Sequence, residues 1–182
     1  MAKLPTPMPP PGEMLRRKQM ERRRRQRYMA LGSGLCLLTA ALVLTFTQVI
    51  LLHRHQGLDM FPTVEDGDLV LADRLRKTYA ENDLILYRVD GKVRMGRIAA
   101  VAGDQVMMDD SGGLLVNGSI RNGQILFPTY AREDTVYPQR IPEGTVYILG
   151  DHRTQSWDSR DHGCIPVEAI LGKVILRFGG IS

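Results

Sequence analysis

Two hydrophobic regimes divide this chain. From Met29 to Leu52 the residues MALGSGLCLLTAALVLTFTQVILL run for 24 positions without a charged side chain, whereas beyond residue 52 the apolar residues come in short runs separated by polar breaks. The long run predicts a helix of roughly 36 Å at about 1.5 Å per residue, enough to cross a hydrocarbon core of about 30 Å. The short runs predict strands: DLVLADRL from Asp68, DLILYRV from Asp83, VRMGRIAAV from Val93, QVMM from Gln105, LLV from Leu114, TVYIL from Thr145 and KVILRF from Lys173. Their breaks carry turn-forming pairs, Asp66-Gly67, Asp90-Gly91, Ser111-Gly112-Gly113 and Asn117-Gly118, where positive φ or side-chain capping is needed. Only VEAILGK from Val167 predicts a further turn or two of helix. The expectation for residues 53–182 is a mainly β, antiparallel domain with one irregular excursion near 120–141, marked by Pro128 and Pro138.

The apolar run is read as an uncleaved anchor. A surface helix of a soluble domain would show a polar face, and the exit QVILLHRHQ offers bulky residues where a signal peptide needs a small-x-small cleavage site. Charge sets its direction. Residues 1–28 hold nine Lys and Arg against Glu13 and Glu21, a net +7, which leaves −3 on residues 29–182 out of the chain's +4. Basic residues before a span place the N-terminus in the cytoplasm, so residues 53–182 are expected on the far side of the cell membrane. Residues 1–28, opening on Pro5, Pro7, Pro9, Pro10 and Pro11, read as a disordered basic tail. A mildly acidic folded part excludes general nucleic-acid binding. The two cysteines, Cys36 and Cys164, exclude a disulfide scaffold and a four-cysteine metal site.

Four segments carry chemistry in a fixed order. Gly57-Leu58-Asp59-Met60-Phe61-Pro62-Thr63 leads into the acidic turn Glu65-Asp66-Gly67-Asp68. Asn82-Asp83-Leu84-Ile85-Leu86-Tyr87 follows, then Gly96-Arg97-Ile98-Ala99-Ala100-Val101-Ala102-Gly103-Asp104, and last Ile141-Pro142-Glu143-Gly144 through Gly150-Asp151-His152-Arg153 to Ser156-Trp157-Asp158-Ser159-Arg160. These resemble the G-x-S-M-x-P-T, G-D-[VI]-[VI]-x-[FY], K-R-[VI]-x-G-x-P-G-D and G-D-N-R-x-x-S-x-D-S-R blocks of the type I signal peptidase family, membrane-anchored serine proteases that remove signal peptides. Leu115-Val116-Asn117-Gly118 resembles its L-x-V-N-G. Each block alone is an ordinary loop or turn; four in order behind an anchor carry the resemblance. It implies the signal-peptidase β fold behind a single N-terminal transmembrane helix. It also implies a retained cleft built on Met60, Pro62, Arg97, Gly150, Asp151, Arg153, Ser156, Asp158, Ser159 and Arg160, with Asp158 paired to Arg160.

The departures from the family pattern decide the functional reading. In the family a Ser hydroxyl attacks the scissile carbonyl and a neutral Lys takes its proton. Here Asp59 stands at the nucleophile position and Gly96 at the base position, so no catalytic residue is expected. Lys92, on the same strand face, would lie about 13 Å away at about 3.3 Å per residue, too far for a transfer over about 3 Å; Arg94 stays protonated. A carboxylate attacking an amide would have to form an anhydride, and an aspartic pair needs a partner such as Asp151 or Asp158. Asp59 also opposes an oxyanion: a negative charge about 4 Å away costs roughly 4 kcal/mol at an effective dielectric near 20, about a thousandfold in rate. If the cleft survives, Asp59→Ser with Gly96→Lys is expected to restore weak activity.

Other groupings read as structural. His152, His162 and Cys164, with His53 and His55, offer a zinc site or a Cys–His nucleophile, but Cys164 follows His162 by two and residues 53–182 hold no second Cys, so neither metal nor cofactor is expected. Asn117-Gly118-Ser119 matches a glycosylation sequon but also the hairpin preference for Asn-Gly. Leu58, Met60, Phe61 and Trp157 either meet an apolar partner or fill the core. The subgroup of the family in Gram-positive bacteria in which Asp and Gly replace Ser and Lys resembles accessory proteins of sortase-built pili. The resemblance therefore implies a non-catalytic chaperone at the membrane, with a pilin or other surface-protein precursor, and a sortase, as partners. The rival readings are an active signal peptidase with a non-standard residue set, and a protein that holds signal peptides without any pilus.

Overall fold

The computed structural model describes residues 11–121, 127–132 and 135–179. Helix α1, Pro11–Val49, contains a stretch, Gln19–Val49, long and apolar enough to cross a membrane, and its side chains from residue 19 to residue 48 are exposed. Two expectations need correction here. Residues 11–28 are helical, because Arg, Lys, Gln, Met and Glu are good helix formers and an adjoining apolar helix supplies the costly nucleus; residues 1–10 lie outside the described part. The helix also stops at Val49 rather than Leu52. Ile50, Leu51 and Leu52 open strand β1, Ile50–Arg54, which pairs with β2, Leu69–Asp73, in the register Ile50↔Asp73, Leu51↔Ala72, Leu52↔Leu71. Arg74 caps the helix end, its N–H donating to Val49 O and its guanidinium to Thr47 O.

All seven strand-like runs are strands. After β2 come β3 (Leu84–Val89), β4 (Lys92–Val101), β5 (Gln105–Met108), β6 (Leu114–Val116), β7 (Ser119–Ile120), β8 (Gln139–Arg140), β9 (Thr145–Leu149), a four-residue helix α2 (Ser159–His162), β10 (Ile165–Pro166) and β11 (Ile170–Phe178). The expected helix at VEAILGK is one 3-10 turn, Val167–Ala169, after which the same residues feed β11. Every pairing is antiparallel, in two sheets ordered β1-β2-β11-β3-β4-β9-β10 and β7-β6-β5-β8. Two-residue loops close two hairpins: Asp90-Gly91 between β3 and β4, and Asn117-Gly118 between β6 and β7, all four residues at positive φ. That matches the twist of paired strands. The Asn117 amide is occupied, donating to Asp104 Oδ1 and accepting from Gln105 N–H. In the excursion near 120–141, residues 122–126 and 133–134 lie outside the described part.

Strand alternation sorts the core. Leu86 and Met95 pack with Met60, Val64, Val70 and Ala72 on one face of the larger sheet, while Ile85, Tyr87 and Ile98 pack with Val146, Ile148, Ile165 and Ile170 on the other. The β4–β9 register shifts between Ile98 and Ala100. Beyond that irregularity Ala99 and Ala100 join Tyr147, Leu149, Val106, Met108, Leu114, Val116 and Ile141 in a third cluster, which ties the smaller sheet to the larger.

Candidate functional site

Asp59 sits in the loop between β1 and β2, held from both ends. His55 N–H donates to Asp68 O and Gly67 N–H to His55 O; Gly57 N–H reaches Asp66 Oδ1, and Val64 N–H reaches Met60 O. Met60, next to Asp59, is fully buried and pins the loop to the core. Pro62 is exposed, following a cis peptide from Phe61. Of the four apolar residues flanking position 59 and the last motif, Met60 is thus a core residue, while Leu58, Phe61 and Trp157 are exposed.

The Asp59 carboxylate keeps 26% of its side-chain surface open, and its Oδ1 lies 3.2 Å from Nε2 of His55, whose side chain is only 3% exposed. The approach is off the hydrogen-bond axis and leaves Nε2 without an aligned partner. The contact holds the carboxylate toward residue 55. In the sequence His55 stands out only as part of a metal or Cys–His grouping. The i, i+4 spacing to Asp59 was the available signal. Among the described residues no three His, Cys, Asp or Glu groups converge as metal ligands.

Position 96 has no room for a side chain. An ideal Cβ on Gly96 would lie 2.3 Å from Ile148 Cγ2, with Tyr87 Cε1 and Leu149 O each at 3.4 Å. Ile148 is fully buried and its backbone is fixed, since its N–H donates to Ser159 Oγ at 2.9 Å. A β-branched methyl moves only by leaving its rotamer. The space where a base would sit is therefore filled, which disfavours the activity expected of Asp59→Ser with Gly96→Lys.

The remaining motif residues come together as a buried brace, of which Ser159 and Arg160 also line a pocket beside Trp157. Asp158 Oδ2 accepts from Gly150 N–H at 3.1 Å, Ser156 Oγ at 2.6 Å and Arg160 at 2.9 Å, while its Oδ1 accepts from the Arg160 N–H and Nε. Both side chains of that pair are 2% exposed. Burial pushes the Asp158 carboxyl up, but the hydrogen bonds and charge of Arg160, with Ser156 and Gly150 behind them, outweigh it and hold the group below its usual range. Arg160 donates further to Arg153 O and Ser156 Oγ. Arg153 spans Gly150 O and Thr129 Oγ1, and burial pushes its guanidinium down to about 10. Asp158 also caps α2 reciprocally with Asp161.

Arg97 forks onto Asp151, Nε to Oδ1 at 2.8 Å and one terminal nitrogen to Oδ2 at 2.7 Å. It also reaches Asn82 O and Thr63 Oγ1. Hydrogen bonding to Asp151 raises the Arg97 pKa, against the pull of burial. Both carboxylates that might have shared a proton with Asp59 are thus fully engaged elsewhere. Gly150 makes the brace possible: its ideal Cβ would lie 2.3 Å from Ser156 Cβ and 2.7 Å from Asp59 O. Here the last motif touches the first, as His152 N–H donates to Asp59 O at 2.9 Å.

What these residues define is an antiparallel β domain behind an apolar helix, in which a buried Asp–Arg brace presents a loop whose reacting position is a carboxylate. The family model described as "Signal peptidase, peptidase S26" matches residues 27–179, and the chain belongs to that family. It is 28% identical over 135 residues to "Thylakoidal processing peptidase 1, chloroplastic" of Arabidopsis thaliana, covering 65% of this chain and 39% of that protein. It therefore spans about two fifths of that relative. To "Signal peptidase I" of Bacillus caldolyticus it is 26% identical over 161 residues, 80% of this chain and 86% of the relative. To "Inactive signal peptidase IA" of Staphylococcus aureus it is 28% identical over 158 residues, 78% and 87%. A crystal structure of a signal peptidase I from Enterococcus faecalis aligns at 23% identity and a TM-score of 0.44, covering 54% of this chain and 97% of that one. The chain is mainly β behind an N-terminal apolar helix, as the resemblance implied.

Proposed function

We propose that this chain is a non-cleaving member of its family, anchored in the membrane by α1 with the β domain on the outer side, and that it holds an extended segment of a secreted precursor. A pilin of a sortase-built pilus is the expected partner. One observation carries the reading: Asp59 replaces the nucleophile while Ile148 fills the space beside Gly96 that a base would need. The name of the Staphylococcus aureus relative, an inactive signal peptidase, supports it. The brace keeps the Asp59 loop in place although the reaction is gone. In the proposed complex the open carboxylate pairs with a Lys or Arg of the partner or accepts its backbone N–H groups, contacts worth roughly 1.5–3 kcal/mol.

Three measurements test the proposal. The purified full chain should leave a signal-peptide substrate uncut; turnover that disappears in Asp59→Ala would overturn it. A pull-down of pilin precursor should weaken about tenfold or more in Asp59→Ala. Protease added to intact cells should remove the domain and spare an N-terminal tag.

The rival, a peptidase with another residue set, has the His55–Asp59 contact in its favour, since a carboxylate that orients a histidine is half of a triad. Among the described residues no hydroxyl or thiol is hydrogen-bonded to His55 to complete it.

A further inference from the structure

Arg94 is the exception among the sheltered cations of the domain. Arg97, Arg153 and Arg160 each spend several donors on carboxylates, carbonyls or hydroxyls. Arg94 is half-buried, yet its Nε is sealed from water without a hydrogen-bond partner, and among the described residues no carboxylate forms an ion pair with it. Its guanidinium lies over Trp157 instead, with Cζ 4.2 Å from the ring centroid. A cation held over an indole by its charge keeps its N–H donors for another partner.

The platform is built. The Trp157 ring leans on His162, centroids 4.7 Å apart. His162 is fixed through its Nδ1–H to Gly163 O at 2.9 Å, which leaves Nε2 to accept from Tyr87 Oη at 3.4 Å. Burial lowers the His162 pKa, so the imidazole adds no charge near neutral pH. Trp157 itself is 37% exposed. On β4, Arg94 stands opposite Tyr87 and two residues before Gly96, on the same face and about 6.6 Å along the strand. An extended segment passing the closed base position therefore meets Arg94 next.

We infer that Arg94 and Trp157 form a recognition site for a carboxylate, that of a Glu or Asp side chain in the precursor segment. The inference rests on the holding function proposed above and specifies what is held. A lone guanidinium matches a carboxylate, which takes two parallel N–H bonds from the fork. It is also a monoanion, which a single guanidinium fork neutralises. With the guanidinium held over the indole, the carboxylate takes the in-plane fork, including the Nε–H for which the domain supplies no partner. An unmet buried donor is costly, so a carboxylate that meets Nε gains from it.

Trp157 is the only tryptophan in the chain, so its emission reads the site directly. The full chain in detergent is titrated with two N-acetylated, C-amidated pentapeptides without aromatic residues, identical except for a central Glu or Gln. The Glu peptide is expected to change Trp157 emission saturably, and the Gln peptide at least tenfold more weakly. Arg94→Gln should erase the difference and Arg94→Lys should keep part of it, with unfolding midpoints confirming that both variants fold. Equal responses to the two peptides, no response to either, or a Glu preference surviving in Arg94→Gln would each overturn the site. The precursor pull-down separates the two proposals: precursor retained without acid preference removes this site and leaves the holding function, whereas acid-selective emission without precursor retention removes the holding function.

Discussion

Gly96 and Ile148 exclude each other's growth: an ideal Cβ at position 96 falls 2.3 Å from Ile148 Cγ2. Gly96→Ala should therefore destabilise the domain by about 1–3 kcal/mol, the usual cost of forcing extra atoms into a packed core. Ile148→Ala alone leaves a cavity at about 2–5 kcal/mol. Together the two should cost less than their sum by at least about 0.5 kcal/mol, since each relieves the other. Denaturant unfolding of the full chain in detergent measures the cycle, and additivity would mean that position 96 is not closed by Ile148. With Ile148 in place, Asp59→Ser with Gly96→Lys should stay inactive in a signal-peptide assay.

The brace should be far more sensitive than the surface ion pairs. Asp158→Ala leaves Arg160 buried without its carboxylate, and breaking one side of a buried pair costs about 3–5 kcal/mol. Arg132 and Asp161, at 3.1 Å, have side chains 39% and 20% exposed. Asp161→Ala also removes the reciprocal cap, yet it should cost no more than about 1–2 kcal/mol. Unfolding midpoints of the two variants decide this, and equal losses would show that the Asp158–Arg160 pair contributes no more than an exposed one.

Much of this was legible in the sequence, for identifiable reasons. Strands with strong apolar runs and Asp-Gly or Asn-Gly breaks, such as β3, β4 and β6, announce themselves. The two-residue strands β7, β8 and β10 have no room for a period. Strand β1 was hidden because hydropathy alone does not distinguish Ile50–Leu52 as the end of an apolar helix from the start of an apolar strand. At the site, the resemblance carried by Ser156, Asp158 and Arg160 implied that Asp158 and Arg160 belong together, as they do. The closure at Gly96 depends on Ile148, brought beside it only by the β4–β9 pairing. The stacking of Arg94 on Trp157 likewise joins β4 to the segment before α2, a meeting that no local pattern encodes.

Acid should act in two stages. Burial depresses the pKa of His162 below its ordinary 6.5, so the unfolded chain takes up a proton that the folded chain refuses. The stability tied to a neutral His162 is complete above about pH 6.5 and falls as pH drops through the folded value. His53, lowered by burial and by His55, acts in the same direction. Asp158 is also depressed, and its contribution is lost only as pH falls below the ordinary carboxylate value near 3.8. The unfolding midpoint should decline between pH 7 and 5, less steeply in His162→Gln, and decline again below pH 4. An unchanged slope in His162→Gln would show that His162 does not carry the first stage.

The boundary between helix and domain gives the last prediction. If Ile50–Leu52 continued the apolar helix, Leu51 and Leu52 would be equivalent neighbours in a lipid-facing run. As members of β1 they point to opposite sides of the sheet. Leu51 packs against the cluster of Met60, Val64, Val70, Ala72, Leu86 and Met95, whereas Leu52 is 61% exposed. Leu51→Ser removes apolar surface from that cluster and puts a hydroxyl against it, at an expected cost of about 1–2 kcal/mol. Leu52→Ser changes an open position and should stay within about 0.5 kcal/mol. Unfolding of the two variants, read through Trp157 emission, distinguishes these. Equal effects would return residues 50–52 to the helix, whereas a selective loss at Leu51 makes them part of the β domain, with the strand beginning at Ile50 where the helix ends.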